Sequence, residues 1–224
     1  MESTITRFFA EFLGTALLVA SVVGAGHMVT GLGAGQALGL LMIALSVGFM
    51  LVIIIAIFQP ISGAHFNPAV TLVVALRKQL SPWDAVIYAA SQCLGAIVGA
   101  VTANLMFESR VLIISDVARG GLGIWIGEAV ATFGLVLAIL LLVDQRRTPW
   151  IPAAVGLWVG AGHLFTSSTS FANPAVSIGR MFTEAPTGIA PGSAVWFFVF
   201  QILGGLLAWG VSTVFSRERL RETP

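Results

Sequence analysis

The apolar positions of this chain fall into long blocks, and polar residues collect between them. Six blocks have the roughly 20 mostly apolar residues that a helix needs to cross a bilayer, at about 6–28, 36–58, 82–107, 122–143, 150–167 and 192–215. The first of them follows Arg7 but carries Glu11 inside it, has no clear small-x-small cleavage site and precedes further spans, so it reads as a transmembrane helix and not as a signal peptide. An even number of crossings puts both termini on one face. Eight basic residues, Arg7, Arg77, Lys78, Arg146, Arg147, Arg217, Arg219 and Arg221, fall on that face, against Arg110, Arg119 and Arg180 on the other. The positive-inside rule then expects cytoplasmic termini in a cell (inner) membrane.

Composition sharpens this reading. Of 224 residues, 57% are hydrophobic and 9% charged, whereas a soluble domain has about 25% charged residues; the mean hydropathy is +0.97. Eleven basic residues nearly cancel ten acidic ones, which leaves no patch for nucleic acid and no charged tail. Cys93 is the only cysteine, so an intramolecular disulfide and a multi-cysteine metal site are both excluded. The three histidines lack metal-binding spacing, and neither a metal nor another cofactor is expected. His27 reads as a loop residue.

Two further apolar segments, Phe66–Leu76 and Phe171–Met181, are too short to span. Both begin alike: Asn67-Pro68-Ala69-Val70 recurs 106 positions later as Asn173-Pro174-Ala175-Val176, and Ser62 and Ser168 precede the asparagines at matching distance. The opening helices of the halves echo each other too, Ala10-Glu11-Phe12-Leu13-Gly14-Thr15 against Gly127-Glu128-Ala129-Val130-Ala131-Thr132. Each repeat, about 6–107 and 122–215, holds three spans and one short segment, so the second enters the membrane from the opposite face. The expectation is one transmembrane channel domain over 1–224. Non-helical backbone at membrane depth is tolerated where it is buried in protein or lines a wet cavity, and such a pair points to a conduction site.

The two Asn-Pro-Ala motifs, the first embedded in Ser62-Gly63-Ala64-His65-Phe66-Asn67-Pro68-Ala69-Val70, resemble those of the aquaporin and aquaglyceroporin family over nearly the whole chain. The resemblance implies an all-α membrane bundle of six transmembrane helices plus two re-entrant half-helices, and a passive channel with no enzymatic activity. It also implies a homotetramer, one pore per subunit, with the lipid bilayer, water and small neutral solutes as its other partners. Pro68 and Pro174 suit a first helical turn, where the missing N–H costs nothing, and Asn67 and Asn173 suit the N-caps. Half-helices meeting at the midplane bring two positive dipole ends together, which repels cations while the Asn amides donate to a passing oxygen. The carbonyls of Gly63, Ala64 and His65, and of Thr169, Ser170 and Phe171, form the expected acceptor ladder. Glu11 and Glu128, costly in a membrane, are expected to brace the re-entrant loops by accepting backbone N–H groups. His65 is expected to line the cytoplasmic vestibule.

The chain departs from the family where most members have an arginine directly after the second motif: here stands Val176. Counting back from the asparagines places Val47 and Ser170 at the outer filter, with either Ala161 or His163 as the fourth wall. An arginine-less filter should be wide, so the expected cargo is bulkier than water: glycerol, urea or undissociated metalloid hydroxides such as arsenous acid. Members with a Ser-Phe-Ala-Asn-Pro-Ala-Val second motif, the form found here, include some linked with arsenic handling. Arg180, one turn after Val176 and about 6 Å farther out, is either a displaced vestibule cation for weakly acidic solutes or a side chain reaching the headgroups. The rival readings are a secondary transporter, which would need coupling-ion ligands in place of Asn, Pro and Ala at the half-helix tips, and a poorly conducting structural protein.

Overall fold

The computed structural model describes residues 4–222, with side chains as far as Phe215; the side chains of Arg217, Arg219 and Arg221, used above for orientation, lie outside the described residues. Eight α-helices and no strand occur among the described residues: α1 (Thr4–Gly31), α2 (Gln36–Ser62), α3 (Pro68–Leu76), α4 (Pro82–Met106), α5 (Leu122–Asp144), α6 (Ile151–Phe165), α7 (Pro174–Gly179) and α8 (Pro191–Glu222). The first repeat is α1–α4 and the second α5–α8, with α3 and α7 as the half-helices. His27 is not in a loop but in the last part of α1, where it stacks on Phe107 and bonds Asn104.

Five helices are long and apolar enough to cross a membrane, namely α1, α2, α4, α5 and α8 through Phe215. The chain is an integral, multi-pass membrane protein. The sixth span departs from the expected 150–167: α6 has 15 residues, about 22 Å at 1.5 Å per residue, short of the roughly 30 Å hydrocarbon core. A 3-10 turn at Thr148–Trp150 precedes it. Beyond Thr166 the chain turns into the second re-entrant loop, which leads to α7.

Local chemistry sets the ends. Ser81 caps α4 by accepting the Asp84 N–H at 3.0 Å, with Pro82 in the first turn. Gly63 ends α2 in the left-handed region (φ 88°), its N–H bonded to the Gln59 carbonyl, a conformation that costs glycine little. Ile53, Ile57, Leu94, Leu157 and Leu207 are exposed on the outside because lipid, as apolar as they are, is their solvent.

Without a hydrophobic force between helices in lipid, close approach has to come from small residues. A Cβ built on Gly95 or Gly99 of α4 would lie 2.1 or 2.2 Å from the carbonyl oxygens of Phe12 and Ala16 in α1. The second repeat does the same, with Gly204 of α8 against Ala129 of α5 at 2.3 Å. Across the repeats, a Cβ on Gly156 of α6 would meet the Gly48 carbonyl of α2 at 2.5 Å. Gly95→Leu is therefore expected to cost at least about 3 kcal/mol, because the obstruction is rigid backbone. Gly210→Ala, at a lipid-facing glycine with nothing within 4 Å, should change stability by less than about 0.5 kcal/mol. Thermal unfolding in detergent reads both.

Candidate functional site: a cavity between two half-helices

The asparagines build the centre. Asn67 sits outside α3 with extended backbone, and its Oδ1 accepts the Ala69 N–H at 2.9 Å; Asn173 does the same for Ala175 and Val176. Each amide nitrogen then reaches across to the other repeat. Asn67 Nδ2 donates to the Ala172 carbonyl and Asn173 Nδ2 to the Phe66 carbonyl, both at 2.7 Å. The two half-helices are thus tied tip to tip. A carboxamide has two N–H donors, so each asparagine keeps one, and both asparagines line a central cavity. Pro68, Ala69, Pro174 and Ala175 stand behind it as the first turns of α3 and α7.

The loops before the motifs adopt a backbone that few non-glycine residues tolerate. Ala64 and Phe66 have φ of 52° and 49°; Ser170 and Ala172, their repeat equivalents, have 50° and 49°, and Thr169 has 61°. Each left-handed residue costs about 1–2 kcal/mol, and the buried carboxylates hold it in place. Glu11 accepts from the N–H of His65 at 3.0 Å, the N–H of Phe66 at 2.7 Å, the Ser62 hydroxyl at 2.6 Å and the Gln92 amide at 2.7 Å. Glu128 accepts from the N–H groups of Phe171 and Ala172, both at 2.9 Å, and from Gln201. Both glutamates are fully buried, so neither reaches a headgroup.

This bracing aims the carbonyls. A trans peptide sets C=O opposite N–H, so N–H groups drawn to Glu11 turn the Ala64 and His65 carbonyls away from it, and Glu128 does the same for Ser170 and Phe171. Ser62 and Ser168 hydroxyls accept the N–H of Ala64 and of Ser170, which turns the Gly63 and Thr169 carbonyls likewise. Gly63, Ala64, His65, Ser170 and Phe171 line the cavity; Thr169, expected there, is not among its lining residues. The opposite wall is aliphatic, with Leu18, Val22, Leu51, Ile55, Leu135 and Ile139. The cavity encloses about 230 Å³ and runs from Gln59, Gln79 and Thr148 on the side of the termini to His163 and Arg180 on the far side.

At the far end two open alternatives separate. Ala161 is exposed on the outside of α6 and does not reach the cavity, whereas His163 is buried and lines it: the chain between α6 and the second motif is two residues tighter than an ungapped count allows. Val47, Val176 and Ser170 line the same region. Nor is this end without an arginine. Arg180 is buried, lines the cavity, lies 3.3 Å from the Phe171 ring centroid and donates Nε–H to the Thr187 carbonyl, which rules out the headgroup alternative. On the side of the termini, His65 lines the cavity, its Nδ1 3.1 Å from Thr71 Oγ1.

Sequence reasoning missed Gln92 and Gln201. Gln92 bridges Glu11 to Thr71, and Gln201 bridges Glu128 to Ser177. The signal was present: a glutamine near the middle of the last span of each half, and a hydroxyl residue four positions after each motif asparagine.

Comparison with known proteins agrees with this architecture. The family model described as Major intrinsic protein matches residues 1–186. An aquaglyceroporin, AqpS, of Rhizobium meliloti (strain 1021) is 46% identical over 204 residues, 90% of this chain and 86% of that protein. Aquaporin-4 of Bos taurus is 34% identical over 222 residues, 90% of this chain and 64% of that longer protein. An aquaglyceroporin structure from Plasmodium falciparum shares the fold at a TM-score of 0.75 and 22% identity, covering 93% of this chain and 95% of that one. On these matches and on the twin cross-linked half-helices, the chain belongs to the major intrinsic protein family, the aquaporin superfamily of membrane channels.

Proposed function

We propose that the protein is a passive channel for water and for uncharged solutes larger than water: glycerol, urea and undissociated metalloid hydroxides such as arsenous acid. The observation that carries this is the asymmetry of the cavity, a file of backbone carbonyls and two Asn donors along one wall and aliphatic side chains along the other. A polyol fits both, its hydroxyls exchanging water for the polar file while its carbons lie on the apolar wall. Water needs only the polar file. Ions lose their hydration against the aliphatic side without compensation, and the paired half-helix N-termini add a barrier to cations. The similarity to the AqpS aquaglyceroporin supports the larger solutes.

In this reading residues 1–224 form one channel domain in the cell (inner) membrane with both termini cytoplasmic, so His65 faces the inner vestibule and Arg180 the outer one. The assembly is a homotetramer with one pore per subunit. Stopped-flow light scattering on proteoliposomes tests the function. Water, glycerol and arsenous acid fluxes are each expected several-fold above empty vesicles. Folded protein that conducts none of the three would overturn the reading, and water alone would confine it to a water channel.

A further inference from the structure

The outer vestibule carries charge that passage of neutral solutes leaves unused. Two guanidiniums flank the Phe171 ring, Arg180 at 3.3 Å and Arg119 at 5.2 Å from its centroid. Neither is in an ion pair: the ion pairs among the described residues are Arg7–Asp84 and Arg77–Asp144. The nearest buried carboxylate, Glu128, has its oxygens committed to Phe171, Ala172 and Gln201. Arg119 is spent on structure, donating to the carbonyls of Gly188 and Pro186, both at 2.8 Å. Arg180 uses Nε on Thr187, and its two terminal nitrogens have no protein partner among the described residues.

Among the cavity-lining residues at this end, two more polar atoms are buried and unpartnered, His163 Nε2 and Ser170 Oγ. His163 Nδ1 lies 2.8 Å from the Val159 carbonyl; since a carbonyl only accepts, Nδ1 carries the proton and Nε2 of the neutral ring is an acceptor. The vestibule therefore offers a two-nitrogen guanidinium fork, a hydroxyl and a ring acceptor, over a pore with carbonyls and Asn amides along one wall and aliphatic side chains along the other.

We infer that Arg180, His163 and Ser170 form a binding site for small carboxylic acids, which dock as anions and pass inward as neutral acids. This rests on the channel reading above. The fork matches two carboxylate oxygens, and one monoanion balances the one open guanidinium. The docked carboxylate takes a single proton from the external water, RCOO⁻ plus H⁺ giving RCOOH, and the new O–H donates to His163 Nε2. No other bond is made or broken. The anion stops at the vestibule because the aliphatic wall beneath offers it no counter-charge.

Glycerol and glyceric acid form the test pair, since the acid replaces one CH₂OH by a carboxyl. In wild-type proteoliposomes, glyceric acid uptake is expected above that of empty vesicles at external pH 5, falling about tenfold per pH unit above its carboxyl pKa as the neutral form disappears. Arg180→Gln should lower the ratio of acid uptake to glycerol flux about tenfold, the worth of a lost charge-assisted bond. His163 and Arg119 face Arg180, so the profile is repeated in His163→Ala to separate their titration from that of the solute. A second measurement needs no variant. At pH 7, external glycerate at about 50 mM should slow wild-type glycerol influx at least twofold, as a millimolar site would. Glycerol flux without acid flux, a parallel loss of both in Arg180→Gln, or glycerol influx indifferent to glycerate would each overturn the inference while leaving the channel reading standing. Absence of glycerol flux in wild type would bring down both.

Discussion

Glu11→Ala and Glu128→Ala are each expected to abolish conduction and to destabilise the protein by on the order of 5 kcal/mol, a third or more of the 5–15 kcal/mol that holds a typical domain folded. Glu11 accepts from four donors, and Glu128 from the N–H groups of Phe171 and Ala172, from Gln201 and from the Ser168 hydroxyl. A buried donor left without its partner costs about 1–3 kcal/mol. In addition, the left-handed residues Phe66 and Ala172 lose the carboxylate that their N–H groups bond, so relaxation toward commoner φ values turns the carbonyls out of the cavity. Glu11→Gln keeps one acceptor oxygen but aims an NH₂ group at other donors, so it should fall between alanine and wild type. Thermal unfolding in detergent and glycerol flux in vesicles measure the two consequences. An alanine variant with wild-type flux and stability would show that the loops hold their shape without the carboxylates.

Val176→Arg is the second large effect. Val176 lines the cavity at its far end, beside Val47 and one turn before Arg180. An arginine there fills the space left by valine and brings a second guanidinium within a helical turn of Arg180, where like charges repel. Glycerol flux is expected to fall at least about tenfold, a barrier increase of roughly 1.4 kcal/mol, while water, needing less width, retains most of its flux. Equal losses of water and glycerol in folded protein would mean that the substitution blocks the pore and does not narrow it selectively. Unchanged glycerol flux would place the constriction elsewhere along the cavity.

Much of this molecule is legible in one dimension. Span positions follow from hydrophobic length, since a bilayer imposes a minimum run of apolar residues wherever a helix crosses. The inverted repeat follows from the duplicated Asn-Pro-Ala-Val at Asn67 and Asn173, and the need to satisfy backbone at membrane depth turns the short segments after them into half-helices. A carboxylate inside each opening span marked Glu11 and Glu128 as groups requiring polar partners. The expected span 150–167 overran α6 at both ends, where Trp150 belongs to a 3-10 turn and Thr166-Ser167 to the re-entrant loop.

What remained undecided depended on contacts between distant segments. Counting could not choose between Ala161 and His163, because loop length between α6 and the second motif carries no register; only packing, with Ser170 pressed against Gly162 where a Cβ would lie 2.5 Å from its hydroxyl, turns His163 inward and Ala161 outward. Gln92 and Gln201 became braces only once α4 and α8 lay beside the glutamates of α1 and α5. No arginine directly follows the second motif, but Arg180 stands at the cavity wall, held there by the Thr187 carbonyl and the Phe171 ring. Apolar length and a repeated motif therefore determined the membrane fold and its two inward loops, since both answer to the bilayer. The lining of the outer mouth was decided by tertiary structure, because a side chain's direction there is set by neighbours far away in sequence.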